Sequence, residues 1–310
     1  MGLTHLDEAP VRAYALGHLR NRWTLLGDAV GSETIGLRRI EISAGGWSTP
    51  VHEHGRSEEI FYVLAGGGVS WHNGQTAAIR AGDCIVYHPR SGAHAVRADD
   101  HLDVLAFGMR EYDESLALPR LGLSMLRDRA VHSTSGPPGA GPQQYALEAD
   151  LGPPELPPAP GPRPETIVNI DEVDPRWQRR PRIERARRNL GRAAGSRHSG
   201  LQYVEVAAGK ESAPPHCHSL EEEIFVILAG DGTLGLDDEE TPVSPGTVVG
   251  RPSGTGVSHV FRAGSGLTYL AYGTRHDADL CYYPRSNKIG FGGVKLIARL
   301  ERLDYWDGED

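Results

Sequence analysis

The feature that most constrains this chain is an internal duplication. Shifting the 310-residue sequence against itself by 164 positions, and by 165 after one inserted residue, aligns histidines, a glutamate and many glycines. The aligned pairs are His52 with His216, His54 with His218, Glu59 with Glu223, and His94 with His259. A repeat unit of about 160 residues has the size of a domain and is far longer than a solenoid repeat. The sequence therefore predicts two similar domains.

A stretch dense in proline and glycine separates the two copies. It reads STSGPPGAGPQQYALEADLGPPELPPAPGPRPE over residues 133–165. Because such a sequence offers few side chains to bury, we expect it to be extended and exposed. We predict an N-terminal domain over residues 1–132, a linker over 133–165, and a C-terminal domain with a C-terminal extension over 166–310.

Within each copy the pattern indicates strands and turns. Short runs rich in aromatic and β-branched residues, such as FYV at 61–63 and FVI at 225–227, are typical of strands. Asn73-Gly74 lies between two such runs and predicts a type I′ hairpin, and Asp237-Asp238 occupies the matching turn. No segment shows 3.6-residue periodicity over four turns, although the arginine-rich piece at 176–192 comes closest. The pattern predicts an all-β barrel or sandwich in each domain.

The paired histidines stand one residue apart on a predicted strand. Residues i and i+2 of a strand face the same side, so His52 and His54 project together while Glu53 points away. The second copy repeats this arrangement with Cys217 in the place of Glu53. A glutamate opens the next strand and a further histidine follows a later Pro/Gly turn. The predicted set is three imidazoles and one carboxylate in each copy: His52, His54, Glu59 and His94; then His216, His218, Glu223 and His259.

Three imidazoles and one carboxylate suit a borderline divalent transition metal. Imidazole binds Zn, Fe and Ni well, and a carboxylate also accommodates Mn. On a six-coordinate ion, four protein ligands leave two positions for water, dioxygen or a substrate. We therefore predict one such ion per domain (Fe, Mn, Ni or Zn). The alternative, histidines packed in an ordinary core, does not account for the same spacing occurring twice.

The motifs resemble those of the cupin superfamily. GWSTPVHEHGRSEEIFYVLAG, from Gly46 to Gly66, resembles the first cupin motif, and GDCIVYHPRSGAH, from Gly82 to His94, resembles the second. The second copy has one extra residue before His216 and two more before His259. The chain thus resembles a bicupin, which implies two tandem double-stranded β-helix (jelly-roll) barrels, each carrying a metal on its full ligand set.

Further residues are candidates for the substrate pockets. By strand alternation, Phe61 and Val63 follow Glu59 on its face of the strand, as Phe225 and Ile227 follow Glu223; core packing is the alternative. Two arginines beside the second-motif turns, Arg90 and Arg251, could bind an anionic group, or could be solvated. His88 is a weaker candidate for an acid or base. The sequence assigns no catalytic residue.

Composition limits the partners. A net charge of −9 gives no reason to expect nucleic acid or anionic membrane, and no apolar stretch approaches bilayer length. The arginine-rich piece is therefore read as a solvated face, or as paired with acids such as Glu221 and Glu222. Three scattered cysteines fit reduced thiols, so we expect a cytoplasmic protein with a small-molecule substrate. The repeated extensions make a homodimer plausible.

Three functions fit these features. The first is a metal-dependent enzyme of the oxygenase type, a dioxygenase-like oxidoreductase. The second is a Mn- or Zn-dependent isomerase or decarboxylase; the chain shows no acidic lid motif of the kind that oxalate decarboxylases carry, so this ranks lower. The third is a non-catalytic bicupin that binds a metal or metabolite. An accessible metal together with measurable turnover would exclude this third function.

Overall fold

A computed structural model of the protein describes residues 2–126, 129–133 and 143–309. Antiparallel strands dominate both halves, which confirms the predicted all-β fold of two tandem jelly-roll barrels. The described residues also form three short 3-10 helices, Pro119–Leu121, Ile170–Glu172 and Pro284–Ser286. Within the described ranges, no helix has the length and apolar character needed to cross a bilayer.

The first half of the chain contains twelve of the described strands and two helices. In chain order they are β1 (Gly2–His5), β2 (Val11–Leu16), β3 (Leu19–Leu25), α1 (Leu26–Ala29), β4 (Ile35–Ser43), β5 (Glu53–His54), β6 (Glu59–His72), β7 (Gln75–Arg80), β8 (Asp83–Tyr87), β9 (His94–Met109), β10 (Ser115–Leu118), β11 (Leu123–Leu126), β12 (Arg129–Ser133) and α2 (Gln143–Asp150). The larger sheet has the order β13-β8-β6-β9-β4-β3-β2, where β13 (Ile167–Asn169) comes from the second half of the chain and β7 pairs with β6. The smaller sheet has the order β12-β11-β10-β5.

The second half repeats this arrangement. Its elements are β13 (Ile167–Asn169), β14 (Arg176–Arg179), β15 (Glu184–Arg188), α3 (Leu190–Ala193), β16 (Ser199–Val206), β17 (Cys217–His218), β18 (Glu223–Leu236), β19 (Glu239–Val243), β20 (Thr247–Arg251), β21 (His259–Thr274), β22 (Leu280–Tyr283), β23 (Lys288–Phe291) and β24 (Leu296–Arg299). The larger sheet has the order β1-β20-β18-β21-β16-β15-β14, with β19 paired to β18, and the smaller has the order β17-β22-β23-β24.

The hairpin predicted at Asn73-Gly74 is present. β6 and β7 pair on either side of it, and both turn residues have positive φ, 49° for Asn73 and 81° for Gly74. A type I′ turn requires positive φ at both central positions. In the second barrel Asp237 has φ 48° at the matching turn between β18 and β19.

Each barrel receives its outermost strand from the other half of the chain. β1 pairs with β20 of the C-terminal barrel, where Leu3 lies opposite Val249. Reciprocally, β13 pairs with β8 of the N-terminal barrel, where Val168 lies opposite Cys84. This exchange covers one edge of each large sheet, which would otherwise present unpaired backbone groups.

A shared apolar core lies between the barrels. Its fully buried members come from both halves, among them Ile60, Phe107, Ile224 and Tyr272, and the rings of Phe107 and Tyr272 stack with centroids 4.9 Å apart. The side chains that alternate to the other face of the same strands fill each barrel's own core. The two barrels therefore pack as one unit.

Two glutamates cross this interface in opposite directions. Glu58 is fully buried and accepts hydrogen bonds from the backbone N–H groups of residues 197–199, at 2.6–3.1 Å, and from two serine hydroxyls. Glu222 likewise accepts from the N–H groups of Glu33 (3.1 Å) and Thr34 (2.7 Å) and from the Thr34 hydroxyl. Each carboxylate thus accepts the backbone N–H groups of a turn of the other barrel.

The segment between the copies differs from its prediction. Residues 143–150 form helix α2, and Tyr145 is only 7% exposed. Glu148 is fully buried beside Arg120, which also donates to the Gly152 carbonyl (2.8 Å). The expectation of an extended, exposed chain is therefore wrong for α2, because the apolar and acidic side chains of QQYALEAD find partners on the first barrel. Residues 134–142 lie outside the described residues.

The arginine-rich piece forms a β-hairpin. β14 and β15 pair through it, with Arg179 bonded to Glu184 and Arg188 bonded to Glu205. The predicted partners Glu221 and Glu222 take other roles, since Glu222 crosses the barrel interface. The interpretation as a solvated face holds for β14, whose four residues are exposed, but not for Arg185 and Arg187, which line a cavity.

Candidate metal centres

The first predicted ligand set converges in the N-terminal barrel. His54 lies on β5, Glu59 opens β6 and His94 opens β9, while His52 just before β5 forms a backbone bridge with His94. One ligand atom of each of these four side chains lies within 4.8 Å of all the others. Strand pairing therefore brings residues 42 positions apart in the sequence to one point.

The Glu59 carboxylate is the centre of this set. Its Oε2 atom lies 2.9 Å from Nε2 of His94, 3.7 Å from Nε2 of His52 and 3.9 Å from Nε2 of His54. Metal–ligand bonds of about 2.0–2.2 Å place adjacent ligand atoms about 3 Å apart. The spacing between donors is therefore close to that around a single ion.

The protonation and hydrogen bonding of these residues also fit a metal. Nδ1 of His52 lies 2.9 Å from the Pro50 carbonyl, to which only an N–H can donate, so Nε2 carries the free lone pair. Nε2 of His54 is buried and has no hydrogen-bond partner among the described residues. A buried, unpartnered nitrogen aimed at two imidazoles and a carboxylate is what a metal ligand requires.

The pKa values of His94 and Glu59 favour ligation as well. Burial lowers the pKa of His94 to about 3, and the charge of His52 adds to this. Burial alone raises the pKa of Glu59, but hydrogen bonds from His52 and His94 outweigh it and hold that pKa well below its usual range. Neutral imidazole and ionised carboxylate are the forms that bind metals.

The second set repeats part of this geometry in the C-terminal barrel: three of its four side chains converge, whereas His218 groups with Glu221 and Asp279. His216, Glu223 and His259 bring ligand atoms together within 4.8 Å, and Oε2 of Glu223 lies 3.2 Å from Nε2 of His259 and 4.0 Å from Nε2 of His218. Nδ1 of His216 lies 2.8 Å from the Pro214 carbonyl, as His52 does with Pro50. The extra residues before His216 and His259 lie in turns and irregular segments, and the two histidines form a backbone bridge as His52 and His94 do.

The second set has a stronger carboxylate contact behind one ligand. Nδ1 of His218 lies 2.6 Å from Oδ2 of Asp279, whereas Nδ1 of His54 lies 3.5 Å from Oε2 of Glu114, the residue in the same position of the first barrel. Burial alone lowers the pKa of His218, but the bond to Asp279 outweighs it and raises the pKa to about 11. Sequence reasoning missed both carboxylates, because each lies about 60 residues from its histidine.

The cavity beside the first set is aromatic. It has a volume of about 430 Å³, and its wall includes Tyr14, Trp23 and Tyr145. Tyr145 of α2 stacks on Tyr14 with centroids 4.2 Å apart, and the Arg38 guanidinium lies 4.9 Å from the centre of the Trp23 ring. Helix α2 thus covers one side of the entrance. A cavity of this size suits a small organic molecule.

The cavity beside the second set is larger and more polar. It has a volume of about 520 Å³ and is lined by Arg185, Arg187, Glu221, Tyr283 and Cys281, together with the ligands. The Cys281 thiol lies 4.0 Å from Nε2 of His218, and Cys281 forms a possible metal group with two histidines of the set, His216 and His218. Leu116 holds the matching place in the first cavity.

The predicted pocket residues divide between wall and core. Phe61 and Phe225 line the two cavities, whereas Val63 and Ile227, with no exposed surface, belong to the cores. Strand β6 bends away at a register shift just after Val63, and β18 does so after Ile227, which explains why these side chains lie deeper.

The structure places the two predicted arginines elsewhere. Arg90 is exposed with φ 56°, and its Nε donates to the Gly55 carbonyl (3.0 Å). Arg251 is 3% exposed and lies opposite Glu223 in the backbone register of β18 and β20. Its guanidinium donates to the Val257 carbonyl. In the described chain neither arginine is among the residues lining the cavities. His88 faces Glu58 at the barrel interface, 3.3 Å away.

Comparison with known proteins supports this architecture. The cupin domain family matches residues 38–107 and 202–270, one match in each barrel. No curated protein sequence matches the chain. Among solved structures, the oxalate decarboxylase of Bacillus subtilis is similar over 90% of this chain and 78% of its own, with 13% identity and a TM-score of 0.56. At that identity the likeness concerns the fold.

Two smaller structures match part of the chain. A candidate sugar phosphate isomerase from Acidithiobacillus ferrooxidans shares 31% identity over 40% of this chain and 83% of its own, with a TM-score of 0.37. A sugar phosphate isomerase of a cupin superfamily from Silicibacter pomeroyi shares 24% identity over 44% of this chain and 96% of its own, with a TM-score of 0.39.

Proposed function

The chain is a bicupin, a member of the cupin superfamily, and from this premise we propose that it is a metal-dependent enzyme acting on a small organic substrate. Each barrel would hold one divalent transition metal (Fe, Mn, Ni or Zn) on three imidazoles and one carboxylate. The observation that carries the proposal is the convergence of Nε2 atoms on Oε2 of Glu59, repeated at Glu223, each beside a cavity.

The residues of the chain would divide the work as follows. Pro50 and Pro214 hold His52 and His216 with Nε2 toward the ion, and Glu114 and Asp279 support the second histidine of each set. When bound, the ion would supply Lewis-acid polarisation of a substrate oxygen or a site for dioxygen. The apolar wall at Phe61 or Phe225 would exclude water from the reacting group.

Access to the ligands supports an enzyme over a sealed binding site. The side chains of Glu59 and Glu223 are 14% and 22% exposed, and both cavities border their ligand sets. A metal buried under packed side chains would favour the non-catalytic alternative. The similar fold of an oxalate decarboxylase, an enzyme with a small-molecule substrate, agrees with catalysis.

Within this function we propose an oxygenase as the first reaction type, a dioxygenase-like oxidoreductase. The test is oxygen uptake by iron-loaded protein supplied with phenolic, enol and keto-acid substrates, with the double variant Glu59→Gln/Glu223→Gln as control. We expect uptake that requires both iron and substrate and is lost in the double variant. Turnover of substrate under argon with Mn or Zn would replace the oxygenase by the second candidate.

The second candidate is an oxygen-independent isomerase or decarboxylase. The C-terminal cavity favours it, since Glu221, Tyr283 and Cys281 place groups that can exchange protons beside the ligand set. Absence of turnover with every metal, combined with full metal content, would leave a binding protein. A cytoplasmic location and a homodimer remain predictions from the sequence.

A further inference from the structure

Two arginines of the C-terminal cavity carry a second inference. Arg185 and Arg187 alternate along β15, so both side chains leave the strand on one face, and both line the cavity that borders the second ligand set. Both are partly buried. Two cations on neighbouring positions of one buried wall repel each other unless an anion lies between or beside them.

In the described part of the chain, no carboxylate lies within 4.0 Å of either guanidinium, in contrast to nearby arginines. Arg188 on the same strand pairs with Glu205, and Arg285 pairs with Glu211. Both cavity arginines donate to neutral groups: Nε of Arg185 donates to Gln178 (2.7 Å) and Nη1 of Arg187 donates to Gln202 (3.4 Å). Arg185 also interacts with the Tyr269 hydroxyl. Their charge is therefore not compensated by an adjacent acid.

Arg187 also has an unused donor. Its Nε atom is buried and has no hydrogen-bond partner among the described residues. Burial lowers the pKa of Arg187, and the charge of Arg185 lowers it further. Both effects are relieved when an oxyanion accepts hydrogen bonds from the fork of a guanidinium, whose geometry matches carboxylate and phosphate.

We propose that the C-terminal cavity binds a small organic anion whose phosphate or carboxylate group is held by Arg185 and Arg187. Tyr283 and Lys295, which line the same cavity, are additional donors. An oxygen at the other end of the molecule would face the set of His216, Glu223 and their partners. This last contact rests on the proposed function, whereas capture of the anion by the arginines does not require a metal.

The first barrel offers an internal contrast. Asn21 and Trp23 occupy the positions of Arg185 and Arg187, as the register shows: Trp23 lies opposite Ile40, and Arg187 lies opposite Val204. The amide of Asn21 is occupied by two carbonyls, at 2.8 and 2.9 Å. The arginine pair at these two positions is therefore specific to the second barrel. The first cavity has arginines at other positions, Arg12 and Arg38, and Arg38 lies over the Trp23 ring.

The test is isothermal titration of the full-length protein with inorganic phosphate and, separately, with malonate. The variants are Arg187→Gln, Arg187→Lys, and the control Arg188→Gln, which removes the same charge from the same strand on its other face. We expect the loss of Arg187 to weaken anion binding at least about tenfold, because charge-assisted bidentate bonds are strong. The lysine variant should be intermediate, and the control should match the wild-type protein.

The outcomes separate this inference from the proposed function. Tighter binding of phosphate assigns a phosphate ester, and tighter binding of malonate assigns a dicarboxylate. The titration is repeated after a chelator has removed any bound metal. Because the arginines bind the anion without a metal, Arg187→Gln should still weaken anion binding to the same extent. No binding of either anion to wild-type protein, or equal weakening by Arg188→Gln, would overturn the inference. Thermal unfolding of each variant checks that it is folded.

Discussion

The two barrels cluster matching candidate ligands but differ in the cavities beside them. In the first, Trp23, Tyr14 and Tyr145 form an aromatic wall that α2 partly covers. In the second, the wall carries Arg185 and Arg187. The candidate ligands lie on or beside β5, β6 and β9, and on or beside their counterparts β17, β18 and β21, whereas parts of the cavity walls come from positions that differ between the barrels. A duplicated barrel can therefore keep one metal chemistry and accept different molecules.

The differences extend to the immediate surroundings of the ligands. Tyr87 lies opposite Glu59 and stacks on His94 with centroids 3.8 Å apart, whereas Arg251 takes the position opposite Glu223. The Tyr87 ring restrains rotation of the His94 imidazole on which it packs. The buried Arg251 guanidinium near the Glu223 carboxylate would repel a metal cation bound there. We therefore expect the two sites to differ in metal affinity, and the following changes test where the barrels differ.

The largest expected effect concerns the helical cover of the first cavity, formed by α2. Tyr145→Ala removes a buried ring that stacks on Tyr14, and we expect a loss of about 3 kcal/mol in unfolding free energy. Hydrogen exchange should show faster opening of α2 (Gln143–Asp150) and no change in the second barrel. Leu147→Ala, at a residue 41% exposed on the same helix, is the control and should have little effect.

The reciprocal glutamates provide the next comparison. Glu58→Ala leaves three backbone N–H groups without their acceptor and should cost about 3 kcal/mol; Glu222→Ala, which leaves two, should cost about 2 kcal/mol. Differential scanning calorimetry measures both, with the exposed Glu239→Ala as control. Equal, negligible losses would show that these carboxylates do not hold the barrels together.

The pH dependence of stability should follow the Glu58 carboxylate. Burial alone raises the pKa of Glu58, but hydrogen bonds from the backbone of Arg197 and His198 outweigh it and lower the pKa. The stabilisation is therefore present above the ordinary carboxyl pKa and is lost as the pH falls through the lowered value. Thermal unfolding between about pH 6 and pH 3 should depend less on pH in Glu58→Gln than in wild-type protein.

The carboxylates behind the ligands should have unequal effects. Asp279→Asn removes a 2.6 Å contact to His218, and we expect metal affinity of the second site to fall about 10- to 100-fold. Glu114→Gln removes a 3.5 Å contact to His54 and should affect the first site less. Competition with a chromogenic chelator measures both. A larger loss in Glu114→Gln would contradict the comparison.

The smallest effect is the reactivity of one thiol. Cys84 and Cys217 are buried, whereas Cys281 is partly exposed beside His218. We expect a thiol reagent to modify Cys281 first, and bound metal to slow the reaction by restricting the cavity. Leu116→Cys should create a second such thiol in the first barrel. Fast labelling that metal does not affect would place Cys281 away from the second centre.

The clustering of the candidate ligands in the first barrel could be predicted because much of it depends on local spacing. Two histidines one residue apart on a strand share a face whatever the rest of the chain does, and the duplication tied Glu59 and His94 to the same pattern. The exchange of β1 and β13 could not be read from the sequence, because a short apolar strand pairs equally well with either barrel. The cavity position of Arg187 could not be predicted for a similar reason. Its neighbours in the sequence are charged, which is typical of a solvated segment, and only the fold directs its side chain toward the cavity.

The most direct test of the account is metal content per chain after loading with a single metal and removal of the excess. Wild-type protein should retain one ion in each barrel, and His52→Ala and His216→Ala should each lose about one ion while remaining folded. The double variant should retain none. Metal content that is unchanged in both single variants, or negligible in wild-type protein at every metal tried, would contradict the assignment of two centres.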